Sequence, residues 1–357
     1  MQKKIFGLLA GLFALTFLFS SCSFSKKNTV HQKDIVAMGS AVTMKVYEST
    51  LSEEETETLL TSALQQVTDL DARYLSKNLE SAELYKLNHA EGKEHLPLSP
   101  TLYNVLSKTK EVYAHSNGMA AVASGALTEL WGIDTDTFAL PQEQAIQKAL
   151  PSCQDDTLQL HEDGTISFQD GQILNLGSIG KGMACDVAIE AIRSAMEQQT
   201  ISGAIVSVGG SLGFIGSANA NGDGYRIGIR NPFGNANSYF ATLTMHEGFL
   251  STSGTYEKTF QKDGKTYHHL LDLNKGYPKE TNLVSVTILA ENGLLSDALS
   301  TLCFLLGEEA SKPILKAYDA SAIFVYADKR VHISPALQET FKVTEENKTS
   351  FSVEVIL

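Results

Sequence analysis

The sequence predicts an α/β fold built as one unit of two lobes. The 357 residues are 43% hydrophobic, with 27 glycines and 8 prolines, an ordinary globular composition. Helical periodicity dominates the first half, and alternating β-branched segments divided by glycines dominate the second. No internal repeat or low-complexity linker cuts the chain into separable domains.

The start of the chain stands outside this unit. Lys3 and Lys4 precede the apolar run IFGLLAGLFALTFLF, and Ser20-Ser21-Cys22 follows. This reads as a secretory signal, residues 1–21, ahead of a lipobox with Phe19 where Leu is usual. The run is short for a membrane span. A diacylated Cys22 would tether the mature chain to the outer face of a bacterial membrane, toward the periplasm or cell exterior. Residues 22–33 read as a polar tether, 34–340 as the folded domain and 341–357 as a C-terminal extension.

Residues 34–47, DIVAMGSAVTMKVY, alternate as one strand with a glycine kink. Ser52 caps a helix whose first turn is acidic. SAELYKLNHA is a short helix; another runs from about Leu102 to the stop signal Asn117-Gly118. Trp131 is the single tryptophan, in LTELWGI, and PQEQAIQKAL is a helix with Pro141 at its start. TISFQDGQILNLGSIGKGMACDVAIEAIRSAM reads strand, glycine turn, helix; GAIVSVGGSLGFIG reads strand, double glycine, strand. YRIGIRNP, YFATLTMHEGFLSTSG, KTYHHLLDL and LVSVTILAE are strand-like. LLSDALSTLCFLLG is a helix capped by Ser296 and ended by Gly307, and ASAIFVYADKRVHIS is a hairpin.

A formal net charge of −13 makes non-specific binding of nucleic acid unfavourable. A polyanion would have to be held locally by backbone amides, a few cations or a metal. Cys153, Cys185 and Cys303 form neither a disulfide framework nor a zinc pattern, and the last two read as buried small hydrophobes.

Four segments could carry chemistry. In LNLGSIGKGMACD, residues 174–186, three glycines and Lys181 open a helix with apolar positions at Met183, Val187, Ala191 and Met196. Such a start presents N–H groups to an anion; a plain tight turn with a solvent lysine is the alternative. In the helix at 295–307, Leu299, Leu302, Cys303 and Leu306 form the buried stripe, and Asp297, Ser300 and Thr301 share another face. A carboxylate and a hydroxyl at a helix mouth suit Mg²⁺, or Asp297 simply favours the helix N-terminus. Residues 249–260 cluster Ser251, Thr252, Ser253 and Gly254, and 207–216 hold a double glycine. Finally, His268-His269 lie side by side, and adjacent strand residues point to opposite faces.

In order along the chain, MGS (38–40), LWGI (130–133), LGSIGKG (176–182), VSVGGSL (206–212), IRNP (229–232), STSGTYEKTF (251–260), YHHLLD (267–272) and SDALSTLCFLLG (296–307) resemble the FAD:protein FMN transferases, the ApbE family. The resemblance runs from residue 37 to about 335. It implies a two-lobed, T-fold-like domain with mixed, mainly antiparallel sheets and a nucleotide cleft between the lobes. It implies Mg²⁺-dependent attack of a Thr or Ser hydroxyl of a target flavoprotein on the FMN phosphate of FAD, with AMP leaving. His269 matches the essential histidine and His268 faces away. Asp297 and Thr301 match metal ligands, with a backbone oxygen near Ser178 as a third. Met38, Asn78, Met119, Ala120, Ala121, Asn175, Lys181 and Leu270 fall at flavin-nucleotide positions.

This chain departs from the family pattern at several of them. The family usually has aspartate at Asn175, Phe-Asp at Ala120-Ala121, tyrosine near Asn78, and Pro and Thr at Leu273 and Lys275. The metal, lysine and histidine positions survive. The resemblance therefore implies retained chemistry at an altered nucleotide site; the alternative is an FAD-binding or FAD-hydrolysing lipoprotein without transferase activity. An adhesive or scaffold role would leave the glycine turn, Asp297 and His269 with no common place.

Overall fold

A computed structural model describes residues 29–133, 135–219 and 221–356. The signal segment and Cys22 lie outside the described residues. The core is a nine-stranded sheet whose spatial order follows the chain: β1 (Val30–Ala37), β2 (Ser40–Tyr47), β3 (Gly203–Val208), β4 (Ser211–Gly216), β5 (Gly248–Gly254), β6 (Leu283–Ala290), β7 (Ser321–Tyr326), β8 (Arg330–Ile333) and β9 (Ser352–Val355). Neighbours pair antiparallel except β8 and β9, which are parallel.

The expected kinked strand is two strands. Met38 and Gly39 both take positive φ, 53° and 65°, and turn β1 straight back onto β2. That is a primed two-residue hairpin, a conformation that glycine favours and methionine resists. The strand also begins at Val30, inside the stretch read as tether. Beyond residue 340, Phe341–Val343 and Ser352–Val355 add strands, and Phe341 and Phe351 are buried.

Five helices matter for the site or its support: α1 (Glu53–Leu70), α2 (Pro100–Tyr113), α3 (Gly180–Glu197), α4 (Gly293–Leu306) and α5 (Glu308–Ala317). Ser52 and Glu55 close a capping box on α1. One sheet face, with Val42, Met44, Val206, Val286 and Ile288, packs against α1, α3 and α4. The other, with Phe214, Leu250, Leu289, Ile323 and Val331, is covered by a three-stranded sheet of Tyr225–Arg230, Tyr239–Met245 and Phe341–Val343. Alternation along β6 shows the division: Val286 and Ile288 belong to the helix side and Leu289 to the other.

A third, smaller core surrounds Trp131, with Leu127, Ile133, Ile146, Cys153, Leu271 and Leu273. The Trp131 indole N–H donates to Gly276 O at 2.9 Å, tying this core to the chain that follows His269.

On α3 Gly180, Gly182, Ala184, Cys185, Ala188, Ile189 and Ile192 are buried, and the apolar Met183, Val187, Ala191 and Met196 are partly buried against the same core, because α3 is wedged between α1, α4 and the sheet. One helix expectation changes. On α4 the cap is Asn292, whose side chain accepts from Leu295 N at 2.9 Å; Ser296 is buried beneath the first turn instead. Gly307 ends α4 at φ 81° as expected, and Cys185 and Cys303 are fully buried.

The first turns of α3 and α4 touch backbone to backbone. A Cβ on Gly182 would lie 1.9 Å from Gly293 O, and one on Gly293 would lie 2.0 Å from Gly182 O. Gly182→Ala should therefore cost about 3 kcal/mol in a urea melt. Gly92→Ala, with nothing within 4 Å of its Cβ, should stay within about 0.5 kcal/mol of the parent.

Candidate active site

The glycine loop is built from local hydrogen bonds. Asn175 N donates to Val122 O at 2.8 Å, and the Asn175 amide oxygen accepts from Gly177 N at 3.0 Å. The Asn175 amide N–H donates to Thr128 Oγ1 at 3.0 Å, while that hydroxyl donates its own proton to Gly125 O at 3.0 Å. With its proton on Gly125 O, Thr128 Oγ1 is an acceptor here, and the Asn175 amide supplies the matching donor. Next along the loop, Ser178 Oγ meets the buried Tyr113 hydroxyl of α2 at 2.6 Å. Met38, at the β1–β2 turn, brings its terminal methyl within 3.1 Å of where a Gly180 Cβ would be.

Lys181 leans from the start of α3 across the β3–β4 turn. A Cβ on Gly209 would meet its Cδ at 3.1 Å. Its ammonium lies a long 3.5 Å from Gly177 O.

Behind Lys181 the two helix starts cap each other. The Asp297 carboxylate of α4 accepts from Gly182 N of α3 at 2.8 Å. The Asp186 carboxylate of α3 accepts from Gly293 N at 2.6 Å and Leu294 N at 2.9 Å of α4. Burial raises the Asp297 pKa above the usual carboxylate range, opposed by the Lys181 ammonium, the Gly182 N–H and the Ser211 hydroxyl. Burial likewise pushes Asp186 up to about 6 against its two backbone donors.

Between α4 and the sheet lies a layer of buried hydroxyls. Ser251 Oγ reaches Ser211 Oγ at 2.9 Å and Ser296 Oγ at 2.8 Å; Ser253 Oγ reaches Ser300 Oγ at 2.8 Å and Thr301 Oγ1 at 3.2 Å. Hydroxyls both donate and accept, so such a layer satisfies itself without water.

His269 follows a short strand, Lys265–His268, and its ring finds a different partner from its neighbour's. His268 is buried edge-on to Phe304 of α4, ring centroids 5.9 Å apart, and its Nδ1 accepts from Leu270 N at 3.3 Å. His269 Nδ1 lies 3.2 Å from Glu257 O. A carbonyl only accepts, so Nδ1 carries the proton and Nε2 keeps a lone pair. Burial, with the Lys258 and Lys181 charges beside it, depresses the His269 pKa to about 3. Lys181 thus bears electrostatically on both His269 and Asp297, and the Asp297–Gly182 bond sets the carboxylate against the start of the helix that carries Lys181.

The family model for the ApbE family matches residues 38–324. The chain belongs to the ApbE family. Among its relatives, an FAD:protein FMN transferase of Treponema pallidum is 31% identical over 288 residues, 76% of this chain and 78% of the relative. One of Klebsiella pneumoniae is 29% identical over 310 residues, 86% of this chain and 92% of the relative. The crystal structure of an ApbE protein of Thermotoga maritima superposes with TM-score 0.77 at 25% identity, covering 87% of this chain and 99% of the other. The flavin transferase ApbE of Vibrio cholerae gives TM-score 0.75 at 21% identity, 88% and 100% covered, a likeness of fold.

In this ApbE chain the expected nucleotide residues fall into two groups. Met38, Asn175 and Lys181 ring the glycine loop, which also carries Ser178, expected near the metal. Met119 and Leu270 meet through Lys279: its ammonium is 3.1 Å from Met119 Sδ and 3.4 Å from Asp272, and its N–H donates to Leu270 O at 2.9 Å. Ala120 and the buried Ala121 lie between them on a loop that Asp155 anchors by accepting from Val122 N and Ala123 N. Asn78 is exposed and shows one contact, its backbone N–H to Ser76 Oγ at 3.3 Å.

Sequence reasoning missed Asp186, Tyr113 and Lys279. Asp186 had a signal: an acid in the second turn of a helix whose inward positions are otherwise apolar. Tyr113 and Lys279 had none, because their partners lie 65 and 160 residues away.

The donor set fits a hard cation. Asp297 offers one carboxylate and Thr301 a half-buried hydroxyl, with backbone oxygens near Ser178. No cluster of three or more His, Cys, Asp or Glu suited to a metal exists among the described residues. One carboxylate with hydroxyl and carbonyl oxygens suits Mg²⁺, which retains waters and takes substrate phosphates as ligands.

A base whose folded pKa is depressed stabilises the fold above its unfolded pKa of 6.5 and forfeits that stability as pH falls toward about 3. His269→Gln should therefore flatten the pH dependence of unfolding free energy below pH 6.5, read from urea melts. The wild-type His269 ring should also hold its neutral nitrogen shifts through pH 6 in an NMR titration.

Proposed function

We propose that this chain is an FAD:protein FMN transferase that moves FMN from FAD to a Thr or Ser hydroxyl of an exported flavoprotein and releases AMP, with Mg²⁺ required. One observation carries the reading: Lys181 opens the helix whose Gly182 N–H is held by Asp297, and its charge bears on both Asp297 and His269. The names borne by its relatives support the same activity.

The diphosphate of FAD would lie along the 176–182 loop, where Lys181 and the partial positive charge of the helix start would offset its charge in an otherwise acidic protein. Asp297, Thr301 and a backbone oxygen near Ser178 would hold Mg²⁺. When bound, the cation supplies charge neutralisation for the diphosphate and the departing AMP.

His269 Nε2 takes the proton of the acceptor hydroxyl as its oxygen bonds to the FMN phosphorus. The P–O bond to AMP breaks, and AMP leaves with the bridging oxygen. Glu257 O holds the imidazole in the required tautomer. Burial first, and then the Lys258 and Lys181 charges, make His269 a weak base. A bound diphosphate would offset the lysine part of that depression, so basicity would rise when substrate is present.

The enzyme works from a lipid anchor at Cys22, facing the periplasm or cell exterior. The described helices include none long and apolar enough to cross a membrane. Cys22→Ser should move the protein from the membrane pellet to the soluble fraction, and retention in the pellet would remove the anchor from this reading.

The decisive assay mixes the mature chain with FAD, Mg²⁺ and a candidate acceptor, and follows covalent flavin fluorescence and AMP. His269→Ala should slow transfer by about 100-fold or more while FAD affinity stays within about threefold. AMP without labelled acceptor would instead make the chain an FAD hydrolase.

A further inference from the structure

We infer that Asp186 is a positioning residue for the cation site: it fixes where α4 begins and so where the Asp297 carboxylate points. This rests on the magnesium reading above. Three of the first N–H groups of α4 are held by side chains. Asp186 takes Gly293 N at 2.6 Å and Leu294 N at 2.9 Å, and Asn292 takes Leu295 N at 2.9 Å. Asn292 is local to α4. Asp186 reaches across from α3, and so ties α4 to the helix that carries Lys181.

The tie has a counterpart. Asp297, one turn into α4, returns a bond to Gly182 N at 2.8 Å. The two bonds run in opposite directions across the Gly182–Gly293 contact, where a Cβ on either glycine would lie 2.0 Å or less from the other's carbonyl oxygen. One link alone would let α4 pivot about the glycine contact. Two links on either side of it remove that freedom. A shift of α4 would carry Asp297 and Thr301 together away from Ser178 and Lys181, so the donor set depends on both links. Asp186 touches no ligand itself; it acts through the backbone of the helix that bears two of them.

The test uses the full mature chain with saturating FAD and no acceptor, and titrates Mg²⁺ calorimetrically. Asp186→Asn should weaken Mg²⁺ binding by about 10- to 100-fold, with FAD affinity in the absence of Mg²⁺ unchanged. In the transfer assay the Mg²⁺ concentration for half-maximal rate should rise similarly, while the rate at saturating Mg²⁺ recovers. Asp186→Glu, which keeps the charge but displaces the oxygens by a methylene, gives the same reading if the Asn variant does not fold. A variant that melts at lower temperature but binds Mg²⁺ within about threefold of wild type would reduce Asp186 to a structural cap and overturn the inference. Asp297→Asn separates the two claims. If it abolishes Mg²⁺ binding while Asp186→Asn does not, the inference alone fails; if it leaves binding unchanged, the magnesium reading fails with it.

Discussion

Two helices begin against each other, and each lends the carboxylate that the other's first turn requires. Helix N-termini carry partial positive charge and unsatisfied N–H groups, so two of them in backbone contact would repel and be left unpaired. Asp297 and Asp186 answer both problems at once. Neither acid would be stable alone at its depth. Burial raises both pKa values, opposed at Asp297 by Lys181, backbone N–H groups and the Ser211 hydroxyl, and at Asp186 by two backbone N–H groups and Lys108. The contact in turn demands glycine at 182 and 293. Two glycines, two aspartates and one lysine are therefore a single device.

The sheet is arranged around that device. Because β1 to β9 follow chain order, the β1–β2 turn with Met38 and the β3–β4 turn with Gly209-Gly210 arrive at the end where α3 starts. β5 then places Ser251 and Ser253 beneath α4, where apolar side chains would be the ordinary choice. Hydroxyls in this layer cost desolvation that only complete hydrogen bonding offsets. What they return is orientation: Ser253 reaches Thr301, and Ser211 reaches Asp297, so both expected metal ligands are held from the strand side. The Trp131 core has a comparable task on the opposite flank, fixing the 270–277 segment and hence the exit direction of the chain after His269.

How much of this was legible in the sequence varies with the range of the interaction. The Ser52 capping box, Gly307 and the helix after Lys181 depend on residues within a few positions, and the sequence displays them. The β1–β2 hairpin was concealed because Met38 sits where a turn would call for glycine or asparagine; packing of its methyl on Gly180 outweighs local preference. Ser296 looked like a cap because it precedes an acid and an apolar run, but Asn292 lies one turn earlier and takes the role. His268 and His269 show the useful limit. Alternation predicts that they diverge, but which one meets the site is decided by Phe304 and Glu257, neither of them local.

Electrostatics links these parts to chemistry. With a net charge of −13, the protein as a whole repels a diphosphate, so attraction must be concentrated where α3 and α4 start. Lys181 stands at the start of α3, and its charge, with that of Lys258, adds to the burial that suppresses protonation of His269. On the proposed reading, a diphosphate bound beside these lysines would offset their part of the depression and leave the larger part, burial, in place. A histidine placed farther from the lysines would lack that dependence. Close placement would tie part of the base's strength to the substrate's charge, so that the imidazole is a better base with a phosphorus centre seated than without one.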